Sequence, residues 1–230
     1  ERDRTPVRHR TGTKSLLSRH RPLLFSIRPE SSHHEEGPGQ NEIDFRYSDA
    51  ITAADNAMTF QTVVKTVAHR NGLYADFSAK PLDHEPGNGF HINISVKPNE
   101  NARNLYHVIA GILEKTEEMT TFFNPNEDSY KRFGQNKAPR FISWSKENRS
   151  QLIRIPAAIG EYHRAELRSP DPAANPYLAF ALMIGAFGAN AHLLQGEAYF
   201  TADVLPPVFW RYVHISCFVI GDFGWPAPFI

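Results

Sequence analysis

The sequence predicts an α+β domain: a curved antiparallel sheet with a polar concave face, and helices packed on the other face. Three stretches predict it, because side chains on a strand alternate faces. Glu42, Asp44 and Arg46 alternate with Ile43, Phe45 and Tyr47, and His91, Asn93 and Ser95 alternate with Phe90, Ile92, Ile94 and Val96. Arg164, Glu166 and Arg168 alternate with Ala165 and Leu167. Any one of these also reads as an edge strand with a charged outer face. Three together point to a shared polar cleft containing Glu35, Glu42, His91, Glu166 and several arginines.

Composition sets the bounds. The 230 residues suffice for one large domain or two small ones, and 41% hydrophobic with 22% charged content is ordinary for a globular protein. A formal net charge of +0 argues against a dedicated nucleic-acid binder. One cysteine, Cys217, excludes an internal disulfide framework and fits a reducing compartment, so a cytoplasmic location is expected. The longest apolar candidate, Val208 to Ile220, is short for a membrane span and carries Arg211 and His214, so no membrane role is expected. The chain starts at Glu1 rather than at a methionine, as an excerpt or a processed product would.

Residues 1–28 hold eight Lys/Arg against two acids and are expected to form a loose basic arm. The Gly37-Pro38-Gly39 turn then folds Glu35 back beside Glu42. Two carboxylates so placed repel unless a cation lies between them, and hard oxygen donors suit Mg²⁺ or Mn²⁺. Neighbouring His33 and His34 face opposite ways, so at most one joins them, and a structural role is the commoner one for such histidines. A helix is expected from Thr52 to Arg70, with Thr52 and Asp55 as a capping pair and Gly72 at its end. A short strand, Leu73 to Phe77, follows, and the glycine-bracketed Gly87-Asn88-Gly89 entry lets a ligand or another backbone approach. A second helix spans Asn101 to Thr120, and an apolar one Ala173 to Ala191. Between them, Arg132, Arg149, Arg154, Arg164 and Arg168 are five guanidiniums suited to phosphate and carboxylate recognition. Residues 201–230 form an aromatic, proline-rich tail without a steady period, and no element is assigned there.

The motifs HHEEGPGQNEIDFRY, GNGFHINIS, EDSYKR, APRFISWS, NRSQLIRIP and RAELRSPDPAANPYLAFAL occur in this order. Together they resemble the catalytic domain of type I glutamine synthetase over roughly Ser31 to Phe187. The resemblance implies the glutamine synthetase/guanido kinase-like fold for residues 29–200. It also implies an ATP-dependent ligase that joins ammonia to glutamate through a γ-glutamyl phosphate with two divalent cations. By motif, Glu35 and Glu42 resemble ligands of one metal, and His91 and Glu166 ligands of the other. Arg132 and Arg168, with the Gly87 loop, resemble the glutamate-binding set. Arg149 and Arg154 resemble the arginines that neutralise the transferring phosphoryl group, and Asn93, Ser95, Arg154 and Arg164 resemble nucleotide contacts. Such chemistry rests on positioning and charge neutralisation, in a site that a flap keeps dry.

Departures from the pattern sharpen the expectation. Lys137 stands where the family carries a flap glutamate that handles ammonium, with Glu36, Asp128 and Glu127 as candidate substitutes. Pro86 stands where the glycine loop often has asparagine. The family's N-terminal β-grasp domain and its E-x-E acid pair have no counterpart ahead of the histidines, so the domain is expected to be incomplete, to bind Mg²⁺ weakly and not to turn over alone. Three readings stay open: a glutamine synthetase catalytic-domain fragment, a ligase for another amine such as a polyamine, and a non-catalytic assembly partner. The resemblance implies glutamate, ammonia and ATP as partners, and a ring-shaped homo-oligomer.

Overall fold

The computed structural model describes residue 27 and residues 29–96, 105–157, 164–187 and 213–224. The basic arm expected at 1–28 lies almost wholly outside the described residues, as does most of the 201–230 tail. Strands β1 (Pro29–His34) and β2 (Gln40–Phe45) form an antiparallel hairpin closed by the Gly37-Pro38-Gly39 turn, where Gly39 has a φ of 78°. Helix α1 (Ala50–Arg70) starts two residues earlier than its apolar period suggests, because its first turn carries the outward Ile51. The cap is Asp49, not the Thr52–Asp55 pair: its carboxylate accepts from the Thr52 amide at 3.0 Å. The helix ends at Asn71, and Gly72 takes a φ of 70°.

The remaining elements are β3 (Tyr74–Asp76), β4 (Phe90–Val96), α2 (Leu105–Phe123), α3 (Glu127–Lys131), β5 (Trp144–Lys146), β6 (Ile153–Ile155), β7 (Ala165–Leu167), α4 (Pro176–Ala186) and β8 (Val213–Gly224). Helix α4 begins later than expected because the Asn175 side chain caps it, accepting from the Tyr177 and Leu178 amides, and Pro176 fits the first helical position. No helix among the described residues is long and apolar enough to cross a membrane.

The sheet order is β1-β2-β8-β4-β7-β6-β5, with β3 also pairing to β8. Strand β7 lies between β4 and β6, which removes its edge-strand reading. The sheet is not wholly antiparallel, since β5 and β6 pair in parallel. A parallel pair usually needs a long crossover. Here each strand has three residues, and the chain reverses through Glu147, whose φ is 68°, in a short loop. The most consequential finding is β8, which comes from the tail left unassigned by its sequence and lies between β2 and β4. Its alternation is visible at His214 and Ser216 but is broken by Phe218 and Ile220.

Apolar residues of four strands (among them Ile43, Phe90, Ile92, Ile153 and Leu167) share one core with Phe60 of α1, Ile109 of α2 and Met183 of α4. Helices α2 and α4 approach closely at Gly111, where an added Cβ would lie 2.2 Å from the Ala186 carbonyl oxygen. On helix propensity alone, Gly111→Ala would stabilise by about 1 kcal/mol. The contact reverses the sign, and overpacking is expected to cost about 1–3 kcal/mol net. The expected result is a lower melting temperature, by roughly 2–4 °C per kcal/mol, and an unchanged or higher value would show that the helices do not meet there.

Candidate active site

One cavity of about 270 Å³ opens onto β1, β2, β4, β6 and β7, and its two ends carry opposite charge. The acidic end is the hairpin. Its turn is held by the Glu35 amide donating to the Gln40 carbonyl at 3.0 Å and the Gln40 amide to the Gly37 carbonyl at 3.1 Å. His33 pairs in register with Glu42, and its Nε2 lies 3.2 Å from Glu35 Oε1 and 3.7 Å from Glu42 Oε2. Ligand-type atoms of His33, Glu42 and Asp44 all lie within 4.8 Å of one another. Ser31 donates to Asp44 Oδ2, and Asp44 Oδ1 is buried without a hydrogen-bond partner. Burial, then a shared hydrogen bond with Glu35 and the charge of Asp44, push the Glu42 carboxyl up to about 9. This crowd of oxygens fits a hard divalent cation, with Glu35, Glu42 and Asp44 as donors.

The basic end is built on β4, β6 and β7. Glu166 is buried, and its Oε1 lies 2.7 Å from Arg168 Nη1 and 3.2 Å from His91 Nδ1, while Arg154 Nε donates to its Oε2. Burial works to raise the Glu166 carboxyl, but His91, Arg168 and Arg154 together hold it well below the usual carboxylate range. Burial, helped by the charge of Arg168, pulls the His91 imidazole down to about 4, so at neutral pH its Nδ1–H donates to Glu166. Both Glu166 oxygens are therefore engaged by protein partners. Arg164 Nε donates to Asn93 Oδ1 at 2.9 Å.

Arg132 is buried, donates through Nη2 to Asn124 Oδ1 at 3.2 Å and to the Ser169 carbonyl, and leaves Nε without a partner, as Arg168 does. Burial lowers the Arg132 guanidinium to about 10 against the pull of Asp171, so it stays charged. Gly87 allows this packing: a Cβ there would lie 2.7 Å from Arg132 Cγ and 2.6 Å from the Ala79 carbonyl oxygen. The loop is tied to the hairpin by Gln40, whose Nε2 donates to the Gly87 carbonyl at 3.1 Å and to Asn88 Oδ1 at 3.0 Å. Across the mouth runs the segment with Gly134 (φ 72°) and Asn136 (φ 51°). Lys137 Nζ pairs with Glu36 there, and Arg168 Nη2 donates to the Lys137 carbonyl at 3.4 Å. Of the candidate substitutes for a flap acid, Glu36 thus meets Lys137, whereas Asp128 pairs with Lys131 at 2.7 Å.

Glu35, Glu42, Gly87, His91, Arg132, Arg149, Arg154, Arg164, Glu166 and Arg168 all line this cavity. Asn93 and Ser95 do not: Asn93 is buried behind Arg164, and Ser95 lies further along β4, in register with His214. They share the parity of His91 but not its depth in the cleft. His33, for which a structural role is the expectation, joins the acidic cluster, whereas Asp44, Gln40 and Asn88 are not among the expected site residues. Asp44 was legible from its alternation with Glu42, whereas the Gln40–Asn88 bond is 48 residues long-range and leaves no local signal.

The family model "Glutamine synthetase, catalytic domain" matches residues 23–198. This chain belongs to the glutamine synthetase catalytic-domain family. It is 45% identical to the glutamine synthetase of Pyrococcus abyssi over 192 residues, covering 78% of this chain and 44% of that protein. It is 47% identical to the Methanosarcina mazei glutamine synthetase over 170 residues, 68% of this chain and 38% of that one. The chain therefore spans less than half the length of these relatives. The cryo-EM structure of Plasmodium falciparum glutamine synthetase superposes with a TM-score of 0.71 at 28% identity, covering 76% of this chain and 37% of that one. A ligand-free GmaS structure gives 0.62 at 31% identity, covering 75% and 43%. Glutamine synthetases generally use ATP and divalent metals.

The raised Glu42 value fixes a sign. A carboxyl whose folded value exceeds its ordinary one adds stability at low pH, and that contribution is lost as pH rises from about 4.5 through about 9. Glu42→Gln is expected to flatten this slope and to raise the cation-free melting temperature at pH 8 by a few degrees, on a scale of roughly 2–4 °C per kcal/mol. Thermal denaturation of both proteins between pH 5 and pH 9 checks it, and parallel pH profiles would contradict it.

Proposed function

We propose that the domain is the glutamate- and ATP-handling part of a glutamate–ammonia ligase, which makes an amide through a γ-glutamyl phosphate. One observation carries this reading: Arg132, Arg149, Arg154, Arg164 and Arg168 converge on a cavity whose far end is an acidic hairpin. Guanidinium forks complement carboxylates and phosphates, and phosphoryl transfer needs charge neutralisation more than covalent help. Arg132 and Arg168 hold the carboxylates of glutamate, and Gly87 lets the amino acid lie against the loop. Arg149 and Arg154 offset the transferring phosphoryl group. Arg154 and Arg164, the latter backed by Asn93 with Ser95 beyond, face the nucleotide. Mg²⁺ or Mn²⁺ at Glu35 and Glu42 supplies further charge neutralisation when bound.

In this reading the sheet is curved, with the polar cleft on its concave side. The protein works in the cytoplasm and assembles with further copies of itself. The chain alone does not turn over, because Glu166 is engaged by arginines and, among the described residues, the hairpin donors are the ones left for a cation. A second reading, a ligase for a larger amine, is favoured by one observation only, the cationic Lys137 at the mouth. Phosphate release by the chain joined to the family's N-terminal β-grasp domain, measured with ammonium against a diamine, separates the two, the diamine being the better acceptor under the second.

Calorimetric titration of the 230-residue chain with glutamate and with ATP tests the main reading. Saturable binding of both is expected. Arg132→Gln should weaken glutamate binding about tenfold or more, the scale of one charged hydrogen bond, and Arg149→Gln should weaken ATP instead. Absence of saturable binding would overturn the assignment, and glutamine formation by the chain alone would overturn the claim that it does not turn over.

A further inference from the structure

We infer that Gln40 is a positioning residue for the amino-acid end of the cavity, acting through the Gly87 loop that it holds against Arg132. The inference rests on the reading of Gly87 and Arg132 as glutamate-binding, and it names a residue that sets their geometry. Gln40 opens β2 and is only 2% exposed. Its main chain is fixed by the hairpin turn and by its register with Asp222 of β8, so the side chain leaves from a fixed point.

The chemistry of the neighbours dictates which way its amide lies. Carbonyl oxygens only accept, so the end facing the loop is the NH₂. Its Nε2 lies 3.4 Å from the Pro86 carbonyl, 3.1 Å from the Gly87 carbonyl and 3.0 Å from Asn88 Oδ1. The other end faces the Gly37 amide, which only donates, and Oε1 accepts from it at 3.2 Å. Asn88 is fully buried and oriented by the same logic, since its Nδ2 donates to the Ser78 carbonyl at 2.8 Å and to the Asp76 carbonyl at 3.3 Å. Amides in series therefore run from the hairpin turn through the Gly87 loop to the end of β3.

The loop so held is wedged against Arg132. A Cβ at Gly87 would lie 2.7 Å from Arg132 Cγ and 2.6 Å from the Ala79 carbonyl oxygen, so a shift of the loop toward Arg132 displaces the guanidinium stem. The nucleotide-facing Arg154 and Arg164 are placed by other elements, β6 and the approach to β7. Gln40→Met would keep the volume but orphan the Gly37 amide, the Gly87 carbonyl and Asn88 Oδ1. Gln40→Glu would keep the acceptor for Gly37 and turn a carboxylate toward the loop oxygens.

The experiment measures glutamate and ATP binding by calorimetry for the full chain, Gln40→Met and Gln40→Glu, and amide hydrogen exchange of each without ligand. Glutamate affinity is expected to fall about tenfold in both variants, the scale of buried polar groups left unpaired, with ATP affinity held within about twofold. Exchange of the Asn88 amide, which donates to the Ala79 carbonyl at 2.9 Å, should quicken while amides of β4 keep their rates. A role in packing alone would instead speed exchange across the domain and weaken both ligands together. That outcome, or unchanged glutamate affinity in a folded variant, rules the inference out. Gly111→Ala, destabilised away from the cavity, is the control and should bind glutamate as the unsubstituted chain does. If the unsubstituted chain binds no glutamate, the proposed function falls, and the exchange rate of Asn88 in the variants alone decides whether Gln40 holds the loop.

Discussion

A buried carboxylate is the constraint on which the site rests. Glu166 on β7 is only 2% exposed, and removing such a charge from water costs several kcal/mol before any partner is counted. Three partners offset that cost: His91 from β4, Arg154 from β6, and Arg168 just beyond β7. The register allows it, since Asn93 pairs with Glu166 across β4–β7 and Arg154 pairs with Glu166 across β6–β7. The electrostatic clamp and the strand pairing therefore enforce one another. A slip of one residue would turn Glu166 into the apolar core and expose Leu167.

The same alignment explains why the cavity has two poles. Strands β4, β6 and β7 bring arginines together around one acid, whereas the hairpin brings acids together around one imidazole. Strand β8 keeps the poles apart by occupying the sheet position between β2 and β4. The position that would most readily link the two sets of donors is thus filled by a segment whose in-register residues, Phe218 and Ile220, are apolar. That separation keeps the acids of β2 from neutralising the arginines directly, although Arg154 and Arg168 are already paired with Glu166.

What the sequence revealed and what it hid divide along physical lines. Strand parity over Phe90–Val96 and over Ala165–Leu167, and the glycine turn before Gln40, are local, so the faces of His91, Glu166 and Glu42 could be read directly. The start of α1 was misplaced because Ile51 points outward and breaks the period, although Asp49 was in view as a cap. Strand β8 was hidden for a deeper reason. Its alternation fails at the two positions that face the charged strands in register, and nothing in a tail reveals that it returns to the centre of a sheet. The parallel β5–β6 pair and the Gln40–Asn88 tie are likewise products of tertiary closure rather than of any local pattern.

The mouth of the cavity follows a different energetic rule from its floor. Lys137 and Glu36 are about half exposed, at 43% and 53%, and such a pair is worth only about 0–1 kcal/mol. The other tie from the body of the domain to Lys137 is a 3.4 Å hydrogen bond from Arg168 to its carbonyl. Lys80, by contrast, is buried and donates to Gln135 Oε1 at 2.9 Å, which anchors the segment at its base. The segment is thus tied by a buried contact at Gln135 and by weaker ones at Lys137. Because Glu36 cancels the charge of Lys137, a cation approaching the mouth meets a neutral pair rather than a lone ammonium.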